Sequence, residues 1–488
     1  MSLRSSSARG KRPAEPGPGR TARDGTGRRR DVWAAVLGAA FVLAVAVAGT
    51  AIQRSEHTLF VDWPPLYADW MPHLGPGTPA ALAVAAAVVT WGPRVATALP
   101  WRRLVLGSWL AAMAWTWSLA LVDGWHRGVA ERLTTEHEYL RAVDRFDDIG
   151  HALSTYTQHI LLTQPDHWPA HVSGHPPAAV LTFVALDRIG LGGGGWAGAW
   201  CITVGSSAAA AILIALRALT DENLARRAAP FLVLAPAAVW TGASADGYFA
   251  AVAAWGLTFL ILATTRTAPA VTTTGRPLPT AAATGLAWRA ALAGLLLGLT
   301  AYLSYGLTLM AIPVGALLLF CRTARPLPYV LAGAAAVAAA FTLSGFRWWE
   351  GYDLLVDRYY QGVGSVRPYS YWIWGNLANA LIIAGLATLA GVRRALAHTP
   401  AVARDWRARA SQRPGTDGLV ILILSALMMI AVADLSGMSK AETERIWLPF
   451  TTWLLPAAAL LSPRDHRIWL LAQAAVALSV NHLLLTGW

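Results

Sequence analysis

Long apolar runs recur along the chain from Val32 to its C-terminus, and they restrict its fold more than any other feature. Each run has about 17 to 25 residues, the length that an α-helix needs to cross about 30 Å of hydrocarbon. Because the lipid core offers backbone groups no water, runs of this length must be helical. Charged residues make up only 14% of the 488 residues. The sequence therefore predicts an all-α, polytopic helical membrane protein of the plasma membrane.

The distribution of arginine predicts how these helices are threaded, because loops rich in Lys and Arg face the cytoplasm. The first three spans are predicted at Val32–Ile52, Thr78–Leu99 and Leu104–Val122. If the short apolar piece Pro177–Leu191 only dips into the membrane and returns, every later arginine-rich loop falls on the inner side. If Pro177–Leu191 crosses the membrane, all of these loops fall on the outer side. The first interpretation is favoured and gives about 13 transmembrane helices, with the N-terminus cytoplasmic and Trp488 outside.

The basic N-terminal segment and the positive net charge of the whole chain lead to separate predictions. Residues 1–31 are rich in Arg, Ser, Gly and Pro and predict a disordered basic cytoplasmic tail, followed by one membrane domain over residues 32–488. The net charge of +12 does not indicate nucleic-acid binding, because the arginines lie in short loops without interleaved aromatic residues. Cys201 and Cys321 lie in apolar runs, so no disulfide framework is predicted.

Titratable residues are concentrated in one predicted outer loop, residues 123–177. Seven of the twelve histidines and eight of the 27 acidic residues of the chain lie there. A chain that avoids charge elsewhere has gathered its ionisable groups in this loop. The loop is therefore the predicted reactive segment, and the apolar helices are its scaffold.

Within this loop, Glu138 to Leu161 has helical periodicity. Apolar side chains fall on one face and polar ones on the other, which predicts an amphipathic helix at the membrane surface with its carboxylates, Asp144 among them, away from lipid. The adjacent acids Asp147 and Asp148 diverge by about 100° on such a helix. One is then available as a base while the other positions a partner. A solvated polar face is the alternative interpretation.

His167, His171 and His175 follow one another at intervals of four, a spacing that would suggest a metal site on a helix. Proline and glycine residues interrupt that helix, so no metal site is predicted. The motif His175-Pro176-Pro177 precedes an apolar run. Its prolines favour an extended backbone and then a helix start, which would hold His175 at the membrane boundary.

An acidic pair in the first large outer loop, followed by HPP at the start of an apolar helix, resembles the GT-C superfamily of membrane glycosyltransferases. The pair is Asp147-Asp148 and the motif is His175-Pro176-Pro177, in the context HVSGHPP. The resemblance is greatest to the protein O-mannosyltransferase and aminoarabinose-transferase branch. Ala178 stands where that branch has Leu after HPP, and an extra span precedes the loop. Whether Asp148, Asp147 or Glu138 matches the catalytic carboxylate stays open.

The resemblance implies transfer of a sugar from a polyprenyl-phosphate donor to an acceptor hydroxyl on the extracytoplasmic face, with inversion. The acceptor would be a cell-envelope glycan or a protein. The resemblance leaves the cofactor unknown; a divalent cation is one candidate, without a clear ligand set in the sequence. Such a reaction needs a base and cations that stabilise the departing phosphate. The expected substrate-binding residues are His175, His171, Asp144, Arg445, Lys440, Arg358, Arg367 and Asp246. Lipid-headgroup contacts for the cations, and a helix cap for Asp246, are the alternatives.

A membrane transporter or a lipid or polysaccharide flippase is the competing hypothesis. Transporters usually place ionisable residues within their spans, near the middle of the bilayer. The predicted spans contain few such residues. The sequence therefore favours an enzyme over a transporter, with a non-catalytic assembly protein as a third hypothesis.

Overall fold

The computed structural model describes residues 18–265, 280–408 and 415–487, most of which are helical. The helices up to the first gap are α1 (Pro18–Glu56), α2 (Thr78–Ala98), α3 (Trp101–Ala120), α4 (Ile149–Ser154), α5 (Ala170–Ser173), α6 (Ala178–Arg188), α7 (Gly194–Ser206), α8 (Ala208–Leu219), α9 (Glu222–Val233), α10 (Ala238–Thr241) and α11 (Ala245–Thr265). Those beyond it are α12 (Thr280–Leu303), α13 (Ala311–Phe320), α14 (Leu327–Leu343), α15 (Trp348–Gln361), α16 (Tyr369–Ala384), α17 (Leu386–Arg407), α18 (Thr416–Leu435), α19 (Thr443–Ile446), α20 (Leu448–Thr451) and α21 (His466–Leu483).

Within the described ranges, seven helices are long and apolar enough to cross a membrane, or up to nine if two bent helix pairs each form one span. One pair is α14 with α15, bent by 75°, and the other is α16 with α17, bent by 104°. The second break falls at Gly385, whose φ of 78° suits glycine. The all-α membrane fold is thus confirmed, whereas the predicted count of about 13 spans is not.

The first three predicted spans correspond to α1, α2 and α3. Helix α1 begins at Pro18, so the last part of the predicted tail is helical, and residues 1–17 lie outside the described residues, as does Trp488. Asp31, at the end of the predicted tail, is tied to the bundle. Its buried carboxylate is paired with the guanidinium groups of Arg393 and Arg394 in α17.

The apolar piece after HPP forms α6, which is only 11 residues long. At 1.5 Å per residue such a helix spans about 17 Å, roughly half of a bilayer's hydrocarbon core. The prolines of the motif directly precede its first residue, Ala178, in agreement with the predicted helix start. The membrane-length helix that follows runs from Gly194 to Leu219.

The 57–77 loop and the 123–177 loop lie at the same end of the helix bundle. The 57–77 loop and the C-terminal end of α3 meet where Gly77 N–H donates to the carbonyl of Leu121 at 2.9 Å. The 57–77 loop also contains β1 (Ala68–Trp70), which pairs antiparallel with β2 (Leu484–Thr486) at the end of α21. The 57–77 loop, the 123–177 loop and the end of α21 therefore share one face of the protein.

The single amphipathic helix predicted over Glu138–Leu161 is absent from this described segment. Three short pieces replace it: a 3-10 helix over Tyr139–Phe146, then α4, then a 3-10 helix over Tyr156–His159. Arg188 of α6 explains the first break, because it donates at 2.9 Å to the main-chain carbonyls of Phe146 and Asp147 and so removes them from a helical ladder. The segment packs on α6 instead of lying along lipid.

Helix α11 is the centre of the core. Sixteen of its 21 residues are buried, and it contacts α7, α8, α12, α13 and α20. Asp246 lies in its first turn and is itself buried. The most rigid part of the bundle therefore holds a carboxylate at the face where the loops gather.

Candidate active site

A cavity of about 610 Å³ opens at this face, within the size range of small-molecule sites. Its walls come from the 170–175 segment, the 3-10 helix over Tyr305–Met310, α15, the end of α18 and the 438–447 segment. One part of the wall is apolar, with Leu307, Leu355, Val432 and Phe450. The charged residues that line the cavity are Arg358, Arg367, Lys440, Glu442 and Arg445. Four cations face one carboxylate, so the cavity favours an anionic ligand with an apolar portion.

Arg445 is the hub of the polar wall, and its side chain is only 5% exposed. Its guanidinium donates at 2.7 Å to Asp246 Oδ2 and at 2.7 Å to Glu442 Oε2. It also lies 2.9 Å from Nε2 of His171. Paired carboxylates offset the cost of burying the charge, and they keep the pKa of Arg445 above its ordinary value although burial alone would lower it.

His171 joins this hub to Glu138. A guanidinium has no acceptor atom, so Nε2 of His171 must accept from Arg445, which leaves the proton on Nδ1. That Nδ1–H points at Glu138 Oε1, 2.8 Å away. Glu138 is buried, and its other oxygen, Oε2, has no hydrogen-bond partner among the described residues. The arrangement is a carboxylate-backed imidazole of defined tautomer, the form used in general-base catalysis.

His175, the histidine of the HPP motif, lines the same cavity. Its Nδ1–H donates a hydrogen bond to the carbonyl of His171 at 2.7 Å. Nε2 is therefore unprotonated and carries a lone pair. Its ring packs against Tyr139 and Phe249, with centroids 5.7 Å apart in both cases. Burial lowers the pKa of His175 to about 4. The imidazole is therefore neutral at physiological pH.

Two of the remaining cations, Arg367 and Lys440, are anchored mainly by main-chain carbonyls, and Arg367 Nη1 also lies 3.9 Å from Glu442 Oε1. Arg367 donates to the carbonyls of Leu59 at 3.0 Å and Lys440 at 2.8 Å. Lys440 donates through Nζ to the carbonyl of Gly364 at 2.7 Å. Arg358 contacts the Ser173 hydroxyl at 3.3 Å, and its buried Nη1 has no partner among the described residues. Most of this positive charge is available to a ligand.

The pKa values of two glutamates beside Arg445 are shifted in opposite directions. Burial alone would raise the pKa of Glu442, but the nearby charge of Arg445 and Arg367 holds it below the ordinary value. Burial raises the pKa of Glu444 to about 7, although it accepts from Tyr67 N–H at 2.8 Å and from Asn379 at 2.9 Å. Glu442 is thus the carboxylate that stays ionised in the cavity wall.

The structure brings together most of the residues predicted from sequence and leaves three apart. His171, His175, Arg358, Arg367, Lys440 and Arg445 line the cavity, with Asp246 and Glu138 directly behind it. Asp144, Asp147 and Asp148 do not line it and are exposed. Asp148 instead caps α4, accepting from His151 N–H at 3.0 Å.

Sequence reasoning missed Glu442 and Tyr139. Glu442 stands three residues before Arg445, a spacing that often places two side chains in contact and could have indicated the pair. Tyr139 is fully buried between the two site histidines and Phe183, and its hydroxyl has no hydrogen-bond partner among the described residues. No sequence signal separates it from an ordinary core tyrosine.

In the described parts of the chain, no group of three or more His, Cys, Asp or Glu residues could hold a metal ion. The carboxylates of the hub are already paired: Glu138 with His171, and Asp246 and Glu442 with Arg445. These side chains are arranged as an ion-pair network.

No protein-family model matches the sequence, and no curated protein matches it. Solved structures do match, two proteins among them. The Archaeoglobus fulgidus oligosaccharyltransferase, in complex with Zn and sulfate, is 14% identical with a TM-score of 0.46, over 78% of this chain and 52% of that chain. ArnT from Cupriavidus metallidurans in the apo state is 16% identical with a TM-score of 0.40, over 69% of this chain and 56% of that chain.

The chain spans about half the length of these structures. Similarity this distant identifies neither donor nor acceptor. What the site does must follow from its own side chains.

Proposed function

We propose that the protein transfers a sugar from a polyprenyl-phosphate donor to an acceptor hydroxyl, with inversion, on the extracytoplasmic face of the membrane. One observation carries the proposal: a cavity with four cations and an apolar wall also contains an imidazole backed by a buried carboxylate. The cations suit the phosphate and the apolar wall suits the first isoprene units. The imidazole suits the removal of a hydroxyl proton.

The proposed reaction is a single displacement at the anomeric carbon. The acceptor oxygen bonds to that carbon while the bond from carbon to the phosphate oxygen breaks, and polyprenyl phosphate departs with the electron pair. The acceptor proton passes to Nε2 of His171, and Glu138 stabilises the imidazolium that forms. Arg445 occupies Nε2 in the structure, so it must first turn towards the phosphate. Arg358, Arg367 and Lys440 stabilise the departing anion.

The distribution of arginine supports the extracytoplasmic location. Arg226 donates to the carbonyl of Ala96 at the turn between α2 and α3, and Arg227 donates to that of Leu461. Together with Arg393 and Arg394, they lie at the end of the bundle where α2 ends and α3 begins, the opposite end from the cavity. Under the positive-inside rule this end faces the cytoplasm.

The test uses the full chain in lipid nanodiscs with radiolabelled polyprenyl-phosphate sugars and an envelope extract as acceptor. We expect label in a product and release of polyprenyl phosphate. Binding of polyprenyl phosphate without transfer, combined with its movement across vesicles, would favour the flippase alternative. Absence of binding would refute the assignment of the cavity.

A further inference from the structure

A second cavity, of about 250 Å³, lies on the same face of the protein. It is lined by the 57–77 loop, by the segment after α3 and by the end of the β2 ribbon. Its charged lining residues are Asp62, Asp69, Arg127 and Arg132. Two carboxyl groups thus face two guanidinium groups, unlike the cationic first cavity.

The polar groups of this cavity are arranged for a ligand without net charge. Arg127 and Arg132 both donate to Asp123, at 3.0 and 3.3 Å, so this one carboxylate offsets part of their charge. Burial, then the neighbouring carboxyl group of Asp62, raises the pKa of Asp69. The lining therefore carries charge of both signs and offers a ligand hydrogen-bond acceptors as well as donors.

One buried donor in this cavity has no partner. The side chain of Arg132 is only 10% exposed, and its Nε has no hydrogen-bond partner among the described residues. A buried donor without an acceptor costs about 1–3 kcal/mol, so a ligand that supplies an oxygen is favoured. Trp63 and Trp70, the residues after Asp62 and Asp69, stack at 4.9 Å and remain about half exposed. Exposed aromatic faces suit the C–H face of a sugar ring.

The second cavity is linked to the first by hydrogen bonds. Tyr67 lines it, and the main-chain N–H of Tyr67 donates to Glu444, next to Arg445. Phe60 also lines it, and the carbonyl of Phe60 accepts from Arg367 of the first cavity at 3.3 Å. A molecule held in the second cavity therefore lies beside the site of transfer.

We infer that the second cavity is the acceptor subsite and that the acceptor is a neutral glycan, whose hydroxyl groups pair with Asp62, Asp69 and Arg132. Calling the cavity an acceptor subsite rests on the proposed transfer reaction. Saccharide binding in the cavity does not depend on that reaction. Its volume admits one or two sugar units. Among the acceptors implied by the family resemblance, it selects a glycan over a protein.

The test measures saccharide binding without donor, by saturation-transfer NMR on the full chain in nanodiscs. The probes are methyl α-mannoside, methyl β-galactoside and lactose, with a serine- and threonine-rich peptide in parallel. We expect saccharide signals from the wild type that are lost, or weakened about tenfold, in Asp62→Asn and Asp69→Asn. Glu136→Gln, whose side chain is 83% exposed on the same loop face, is the matched control and should bind normally.

Absence of saccharide binding, binding that both Asn variants retain, or binding of the peptide alone would overturn the inference. Should one Asn variant fail to fold, the other carries the test together with Arg132→Lys, which keeps a positive charge beside Asp123 but removes the unpartnered Nε donor and should also weaken saccharide binding. Arg445→Lys should leave saccharide binding intact. Failure of this test would therefore leave the transfer reaction standing, and failure of transfer would leave saccharide binding standing.

Discussion

Replacing Glu138 by Gln is the sharpest test of the catalytic arrangement. The change keeps the size of the side chain but removes the charge that faces Nδ1 of His171 at 2.8 Å. Three carboxylates surround the Arg445 hub, those of Glu138, Asp246 and Glu442. Neutralising one of them leaves the guanidinium paired, so the variant should fold.

The expected magnitude follows from two effects. A hydrogen bond to a charged group contributes about 1.5–3 kcal/mol and a neutral one about 0.5–1.5 kcal/mol, so about 1 kcal/mol of stability is lost. The catalytic effect is larger, because a neutral Gln amide cannot stabilise the positive charge that develops on His171 when the imidazole takes the acceptor's proton. The equivalent Asp→Asn change in a serine-protease triad costs about 10⁴ in turnover; we expect a loss of about 10²- to 10⁴-fold.

The assay is transfer from a radiolabelled polyprenyl-phosphate sugar, with thermal unfolding measured on the same preparations. Asp147→Asn is the matched control, since Asp147 lies in the same loop but is exposed and outside the cavity. It should retain transfer. Wild-type rates in Glu138→Gln would refute the role of Glu138, and a loss confined to Asp147→Asn would return the base to the acidic pair.

Three further outcomes follow. The unfolded chain protonates His175 near pH 6.5 but the folded protein only near pH 4, so the free energy of unfolding should fall by up to about 3 kcal/mol as the pH drops across this window, and His175→Asn should remove that dependence in melting curves. Arg445→Lys keeps the charge but not the planar fork that serves Asp246 and Glu442; it should lose about 2 kcal/mol of stability and bind polyprenyl phosphate more weakly in equilibrium binding assays. Lys440→Gln should leave melting unchanged and weaken polyprenyl-phosphate binding about two- to fivefold, with a smaller dependence on salt.

The cations could be predicted because charge is rare in this chain and conspicuous wherever it occurs. Arg358 and Arg367 stand in one outer segment and Lys440 and Arg445 in another, and an anionic ligand was one interpretation of them, beside contacts with lipid headgroups. The HPP motif likewise predicted the start of α6, since proline restricts the backbone whatever surrounds it.

The catalytic carboxylate could not be chosen, because the choice depends on contacts between distant residues. Glu138 pairs with His171, 33 positions later, and His171 meets Arg445, 274 positions later. The periodicity predicted one helix through Asp147 and Asp148, but this helix does not form. Arg188 donates to the main-chain carbonyls of Phe146 and Asp147, which a continuous helix would use for its own hydrogen bonds. The predicted count of about 13 spans is not confirmed, and breaks such as the one at Gly385 depend on the surrounding helices.

The position of Tyr67 between the two cavities has a thermodynamic consequence. Its hydroxyl is influenced by the charges of Glu442 and Arg367 from the larger cavity and by Asp69 and Asp62 from the smaller one. Any shift of this ring that helps one occupant changes the environment of the other. By reciprocity, whatever factor a bound lipid phosphate adds to the affinity for a sugar, the sugar must return to the lipid phosphate. The two substrates would then favour or oppose each other's residence on the enzyme before any bond is made or broken.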